Sequence, residues 1–458
     1  MYGGENYWIA KILFQKGLAS VYLIAFLVAY RQYSGLVGKD GILPIESFIE
    51  DKEFSEALSI FYFFNSDRFL KFSATSGILL SVIALTGTAD IFGNLSYMTV
   101  WGSMWFLFLS FKNTGQEFYP SGNSLVEAGF LAIFLAPGIA TPLLLVVLFR
   151  WFLFRMIFGA GLIKIVKGDE KWRDLTALNY FYKIQGSPNP LSKYFHKLPE
   201  FVKKSGVLFN HVVLLIVPFL FFAPQPYASI AGALTILHQL LILLSGNFYW
   251  LNLLTMTATA FTFSDELLIQ LGAPDLAQGV TFSSFSGATI VLAGLIGIRS
   301  IPAVHNMLTG QDFSSTSYSP LRLVNTYGRY SRVYKEKKEV IIKGFKNGEW
   351  QEYEFYGKTS KLKRPRFISP YTHRLDDVLW FVAHKPEENR EFTGKILSKL
   401  KQGENKVESL FRDVPFEEPP EKIKAEIYRY DFDDKEDRDY WRREKIDEIL
   451  QIGQENSS

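Results

Sequence analysis

The stretch from Trp151 to Leu178, WFLFRMIFGAGLIKIVKGDEKWRDLTAL, decides the fold class. It opens as an apolar segment fit for a bilayer, yet Arg150 stands at its edge and Arg155 and Lys164 lie inside it. It then breaks into a compact polar loop, Gly168-Asp169-Glu170-Lys171-Trp172-Arg173-Asp174. A cation in hydrocarbon costs at least ~2.5 kcal/mol even on lenient insertion scales. A segment that keeps two of them must neutralise them inside a helical bundle, at a headgroup boundary or in a wet cavity. The expectation is a polytopic membrane protein with something polar built into its membrane part.

A membrane helix needs about 20 largely apolar residues. Runs at 9–30, 69–92, 95–111, 124–148, 150–166, 207–223, 228–245, 247–263 and 284–304 are candidates, so an α-helical bundle of eight or nine membrane segments is expected. Pro137 and Pro142 predict a break in the fourth run. The charges of the fifth suit a bundle-facing helix or an interfacial one. The first run lacks a small-residue cleavage site and carries Lys11 and Lys16, so it reads as a signal-anchor helix.

Of the 49 Lys and Arg residues, about 20 precede residue 311 and about 29 follow it. The chain thus divides into a membrane part (1–306), a linker (307–320) and a soluble α+β domain (321–458). In the last, LRLVNTYGRYSRVY and EVIIKGF read as strands. Asn347-Gly348 signals a hairpin turn into WQEYEFYG. Residues 374–384, 391–402 and 404–412 have helical patterning. IYRYDF is a strand candidate, and DRDYWRREKIDEILQ reads as a closing charged helix.

Several chemistries are excluded. There are no cysteines, so disulfides and thiolate metal sites are out. No HExxH and no i, i+4 His pair occurs, so no metal site is expected. Gly-rich phosphate loops and GxSxG are absent, and the basic runs lack nucleic-acid module patterns. Neither a cofactor nor a nucleic-acid partner is expected.

The intramembrane polar candidates are Glu127, Arg150, Arg155 and Lys164. Glu127 is either a functional carboxylate or a charge placed on its helix N-terminus after Ser124. Arg155 and Lys164 either face an anionic headgroup, a substrate or a partner carboxylate, or serve structure alone. In the structural reading Arg150 and Lys164 snorkel to the interface while Arg155 pairs with Glu127. His238, in mid-span, bonds to a neighbouring helix or acts as a general base.

The segment GAGLIKIVKGDEKWRDLTALNYFYKIQGSPNPLSKYFHKLP (159–199) resembles the signature of the lipase maturation factor family. GLVGKDGILP (35–44), SLVEAGFLAIFLAP (124–137), LLSGNFYWLNLLT (243–255), LVNTYG (323–328) and RPRFISPYTHRLDDVLWFVA (364–383) resemble its other motifs, in the family's order. The resemblance points to the loop residues Gly168, Asp169, Trp172, Arg173 and Asp174. In the C-terminal domain it points to Asn325, Tyr327, Pro370, Tyr371, Arg374, Asp376 and Trp380. It implies a membrane-anchored folding or maturation factor for an exported client, a lipase being one candidate, with membrane lipids as further partners and no catalytic residue of its own. The membrane half is also distantly similar to vitamin K-dependent carboxylases. That likeness implies the alternative, a membrane-embedded enzyme acting on a lipid or protein substrate, with Lys164 or His238 as base and Arg155 as anion partner.

The family analogy implies an integral protein of a bacterial-type inner membrane or an endoplasmic-reticulum-like membrane, its soluble domain outside the cytoplasm. Loop 167–206 holds eight Lys or Arg against four Asp or Glu, which the positive-inside rule assigns to the cytoplasm. Four candidate spans separate that loop from the soluble domain, which puts both on one side. The two expectations therefore conflict.

Overall fold

The computed structural model describes residues 7–453 except 116–117, 119–121, 138–140, 276–285, 310–315, 329, 360–361 and 434–439. Most of the membrane part is helical. Its helices are α1 (Trp8–Val37), α2 (Asp67–Thr86), α3 (Gly93–Thr114), α4 (Gly122–Ala132), α5 (Leu143–Val166), α6 (Glu200–Leu215), α7 (Tyr227–Ser245), α8 (Leu251–Ala258) and α9 (Ser286–Thr309). Among the described residues, six helices are long and apolar enough to cross a membrane: Trp8–Val37, Asp67–Thr86, Leu143–Val166, Glu200–Leu220, Tyr227–Ser245 and Gly287–Thr309. Side chains such as Phe219, Leu237, Val291 and Ile301 stay exposed on their outer faces. That is the pattern of helices solvated by lipid, where backbone groups must be satisfied internally.

The apolar runs do not map one to one onto helices. The expected 124–148 and 150–166 segments are repartitioned into the short α4 and the long α5, because the backbone breaks after Ala132 ahead of Pro137. Carbonyls freed by that break still need donors. Tyr97 donates its hydroxyl to Ala132 O at 2.7 Å, Gln15 to Leu135 O at 2.9 Å, and Lys11 to Ala136 O at 2.5 Å. Lys16 likewise caps α2 through Leu85 O at 2.5 Å. The polar residues of α1 thus close the broken ends of its neighbours. The apolar ones fill the core, as where Phe14 packs on Phe149 and Phe261 with centroids 4.5 and 5.2 Å away.

The C-terminal domain is an antiparallel sheet with helices α10 (Arg374–His384) and α11 (Arg390–Lys401). Its strands are β1 (Lys337–Lys346), β2 (Glu349–Glu352), β3 (Lys422–Phe432) and β4 (Trp441–Ile452), in the order β2-β1-β3-β4. The Asn347-Gly348 turn joins β1 to β2 with φ of 53° and 85°, as a type I′ turn requires.

Three sequence expectations fail here. The charged tail is strand β4 rather than a helix. Good helix formers are overridden by cross-strand pairing: Trp441 packs on Phe432 at 4.2 Å, Arg443 pairs with Glu352 at 2.6 Å and Lys445 with Glu426 at 2.5 Å. LRLVNTYGRYSRVY is no strand in its described residues, where only Asn325 forms an isolated bridge, to Ser317. Its side chains and carbonyls are taken up by the membrane part instead. Residues 404–412 hold only a single short helix, Asn405–Glu408.

Candidate functional site

Helix α4 carries Glu127 and α5 carries Arg155, and the two meet in a buried ion pair, each 1% exposed. Arg155 contacts both carboxylate oxygens. Its Nη1 also donates to Asn325 O at 2.9 Å. Asn325 Nδ2 donates to Glu127 Oε2 at 2.9 Å, and the Tyr327 hydroxyl to the same oxygen at 2.7 Å. A buried pair repays its desolvation only when further hydrogen bonds satisfy it. Those bonds come here from the LVNTYG segment, which leads into the C-terminal domain. Gly159 makes the approach feasible, since a Cβ there would stand 3.1 Å from Tyr327 O.

Arg150 does not snorkel. It is 1% exposed and donates to Phe261 O at 2.8 Å and to the Tyr7 hydroxyl at 2.9 Å. Lys164 is also buried, at 5% exposed.

The signature loop forms a second junction. Asp169 caps the turn Glu170–Arg173, and its N–H donates to Ser331 O at 2.9 Å. Trp172 Nε1 donates to Tyr330 O at 3.0 Å. Arg173 turns back to Gly168 O at 3.3 Å, and Asp174 accepts from the Thr176 hydroxyl at 2.6 Å. Within this loop these polar residues hold the fold of the segment and clamp it on 330–331.

A third junction gathers the C-terminal motif. Gln32 of α1 donates to the Tyr371 hydroxyl and to Thr372 O, both at 2.9 Å, and accepts from Arg374 N at 2.8 Å. Asn247 donates to Arg366 O at 2.7 Å and accepts from Ile368 N at 3.0 Å. Pro370 follows Ser369, whose hydroxyl donates to Phe248 O. Trp380 Nε1 donates to Ile184 O at 2.7 Å. Asp376 accepts from Gly357 N at 2.7 Å and Lys358 N at 3.1 Å. Burial pushes the Asp376 carboxyl up to about 7, against the pull of those N–H groups and of the Lys358 charge. Beside it, Lys337 and Lys358 both reach Glu339, at 2.5 and 3.1 Å, and Lys337 donates to Gln185 O at 2.5 Å. Burial lowers both lysines, and the Glu339 charge opposes it.

A cavity of about 190 Å³ lies where α5, α6, α7 and α8 meet the signature loop and Tyr330. Lys164, Asn210, His238, Gln239 and Asn252 line it among apolar and aromatic side chains. Lys164 donates to Ala160 O at 2.8 Å and its Nζ stands 5.1 Å from the Trp172 ring. His238 Nε2 bonds to Asn210 Oδ1 at 3.1 Å, and Asn252 donates to Gln239 Oε1 at 2.7 Å. Lys164 and His238 therefore share one chamber, while Arg155 is engaged in the Glu127 cluster. Among the described residues, no group of three or more His, Asp or Glu could hold a metal ion.

Sequence reasoning missed Gln32 and the buried Lys337–Glu339–Lys358 group. A lone glutamine in an apolar run gives no sign of a partner 340 residues away. Asn247 sits inside a quoted motif, and that membership was its only signal.

A family described as the lipase maturation factor transmembrane domain matches residues 9–270, and one described as the lipase maturation factor C-terminal domain matches 323–451. Lipase maturation factor 1 of Bos taurus is 33% identical over 93% of this chain and 85% of its own length. The Homo sapiens protein of that name is 33% identical over 93% of this chain and 84% of its own. Lipase maturation factor 2 of Rattus norvegicus is 27% identical over 96% of this chain and 82% of its own. No solved structure matches the chain.

Proposed function

The chain belongs to the lipase maturation factor family, and we propose that it is a membrane-anchored folding factor that brings an exported lipase to its active state. The observation that carries this reading is the build of the molecule. A helical membrane part holds a soluble domain through the Glu127, Asp169 and Gln32 junctions, and that domain leaves Tyr356, Phe367 and Phe381 about half exposed. Trp380 is used up against Ile184, while its neighbour Phe381 stays free to meet apolar surface of a client. Exposed aromatics are suited to holding a chain that has not yet buried its own core.

Under this proposal the soluble domain lies outside the cytoplasm. Lys183 pairs with Asp431 at 2.7 Å, so loop 167–206 shares the side of the sheet. A loop held on a domain this way departs from the charge rule, which is strongest for short free loops. The division at 306 and 320 is supported by family matches that end at 270 and resume at 323. The finer count of eight or nine segments is supported by the path of short pieces. Asn247, at one end of the 247–263 run, bonds to Pro188 of the loop, while Thr262, at the other, accepts from Gln225 before α7.

The test is a photocrosslinking residue at Phe381 in the full chain, co-expressed with a secreted lipase, with a topology reporter in the soluble domain. Light-dependent capture of the lipase and an extracytoplasmic reporter signal are expected. Capture that is lost at Phe381 yet retained at a lipid-facing position such as Val291 would overturn the reading, as would a cytoplasmic reporter.

A further inference from the structure

We propose that the loop ahead of α2 is a foot set into the bilayer. Phe54, Phe63 and Phe64 lie in the headgroup–acyl boundary of a zwitterionic leaflet, on the side of the C-terminal domain. Three observations carry this. The first is position. Helix α2 has 20 residues, Asp67–Thr86. At 1.5 Å per residue it spans about 30 Å, the thickness of the hydrocarbon core. Its first turn therefore stands at the boundary, and Phe63 and Phe64, just ahead of it, stand level with the headgroups.

The second is a strip of rings that continues onto the helix. Phe54 meets Phe63 with centroids 5.4 Å apart, Phe64 meets Phe69 at 5.0 Å, and Phe69 meets Phe72 at 6.1 Å. Phe63, Phe64 and Phe72 are 67%, 58% and 65% exposed, and further along α2 Leu79 and Val82 also face outward. The far end of the strip is thus the lipid-facing surface of a spanning helix, and the near end is continuous with it. A soluble client covering Phe63 and Phe64 would have to sit at the level the bilayer already occupies. The backbone behind the rings is fixed to α3. Asn113 donates to Leu58 O at 2.7 Å, Ile60 N donates to Ser110 Oγ at 3.1 Å, and the buried Phe61 ring lies 4.9 Å from that of Phe111. With Phe61 filling the space inside, its neighbours Phe63 and Phe64 are held outward.

The third is charge. Around the rings, Glu50, Asp51, Glu53 and Glu56 are exposed together with Lys52, Arg68 and Lys71. Carboxylates outnumber cations there, so the loop lacks the basic cluster that draws a protein to anionic lipid. Apolar burial of the rings carries the seat instead. The foot also bears on the C-terminal domain. Lys406 of that domain pairs with Asp40 at 2.6 Å and with Asp67 at 2.5 Å, on either side of the loop. The depth of the rings therefore sets the height at which the domain stands over the leaflet.

The chain has no cysteine, so a single introduced one carries a nitroxide at a known place. Phe63→Cys and Phe64→Cys are tested in the full chain, reconstituted into phosphatidylcholine vesicles. Leu79→Cys serves as the lipid reference and Glu56→Cys as the water reference. Electron paramagnetic resonance power saturation reads collisions with oxygen against those with a water-soluble nickel chelate. The labels at 63 and 64 should favour oxygen, as at 79, and report a depth of about 5–10 Å, while the label at 56 favours nickel. Should either variant fail to fold by its melting curve, Phe54→Cys gives the same reading from the other end of the strip. Replacing part of the phosphatidylcholine by phosphatidylglycerol should leave the depth unchanged. Nickel-dominated collisions at 63 and 64 overturn the foot. Exclusion of both reagents overturns it as well, since the rings are then covered by protein, a client or a second copy. A depth that grows with phosphatidylglycerol overturns the zwitterionic seat.

Discussion

Arg155 and Lys164 lie nine residues apart on α5, yet they meet opposite surroundings. Arg155 is closed in. Its carboxylate partner comes from α4, and Asn325 and Tyr327 of the segment ahead of the sheet complete the shell. Lys164 borders an open chamber, over the Trp172 ring and near His238 and Asn210. One helix thus uses one cation as a weld and presents the other to a space. The lesson is that an intramembrane charge declares a cost, and only the neighbours decide whether structure or binding meets that cost.

The largest effect should come from breaking the weld. Glu127→Leu strands a buried guanidinium, and a loss of about 3–5 kcal/mol is expected in the melting of the detergent-solubilised protein. The double variant Glu127→Leu/Arg155→Leu removes both charges and should recover most of that loss. If the double variant is no more stable than the single one, the pair is not the origin of the effect.

A smaller effect, at most a few kcal/mol, sharpens the C-terminal side of the junction through pH. The Asp376 carboxyl is raised from 3.8 to about 7 by burial. Its neutral form is favoured by the fold, so its contribution is fully present below about 4 and is lost as pH rises through 7. Asp376→Asn should flatten the decline in stability between those values. Glu426 runs the other way. Burial alone would raise it, but Lys424, Lys445 and Lys343 outweigh burial and bring it down to about 2. Its contribution is present above about 4.5 and is lost only as pH falls through 2. Stability curves of the two forms at pH 4 and pH 8 measure the difference.

The smallest effect is expected at Lys164, which lines the chamber. Lys164→Met replaces a buried amine by a flexible apolar chain, so melting should shift by less than about 1 kcal/mol. A loss matching that of Glu127→Leu would erase the contrast between the two cations.

The membrane class was legible because apolar runs are a local property, and the hairpin because Asn347-Gly348 encodes its own turn. The pairing of Arg155 with Glu127 was legible as one of two readings, since hydrocarbon leaves a cation few options. Strand β4 was not, because its Glu, Arg and Lys content suits a helix until β3 and β2 supply partners for them. The 321–334 segment misled for a related reason. Its β-like composition says nothing of the carbonyls of Asn325, Tyr330 and Ser331, which serve α5 and the signature loop. The chamber was invisible because Lys164, Asn210, His238 and Tyr330 come from four separate segments.

Under the proposed function, a C-terminal domain fixed to a membrane bundle matures a secreted lipase. Lipase activity per exported lipase molecule, measured in a host that secretes a lipase with or without this chain, tests it most directly. The wild-type chain should raise activity per molecule, and Glu127→Leu, with its weld broken, should do so far less. The same activity per molecule with and without the chain would contradict it.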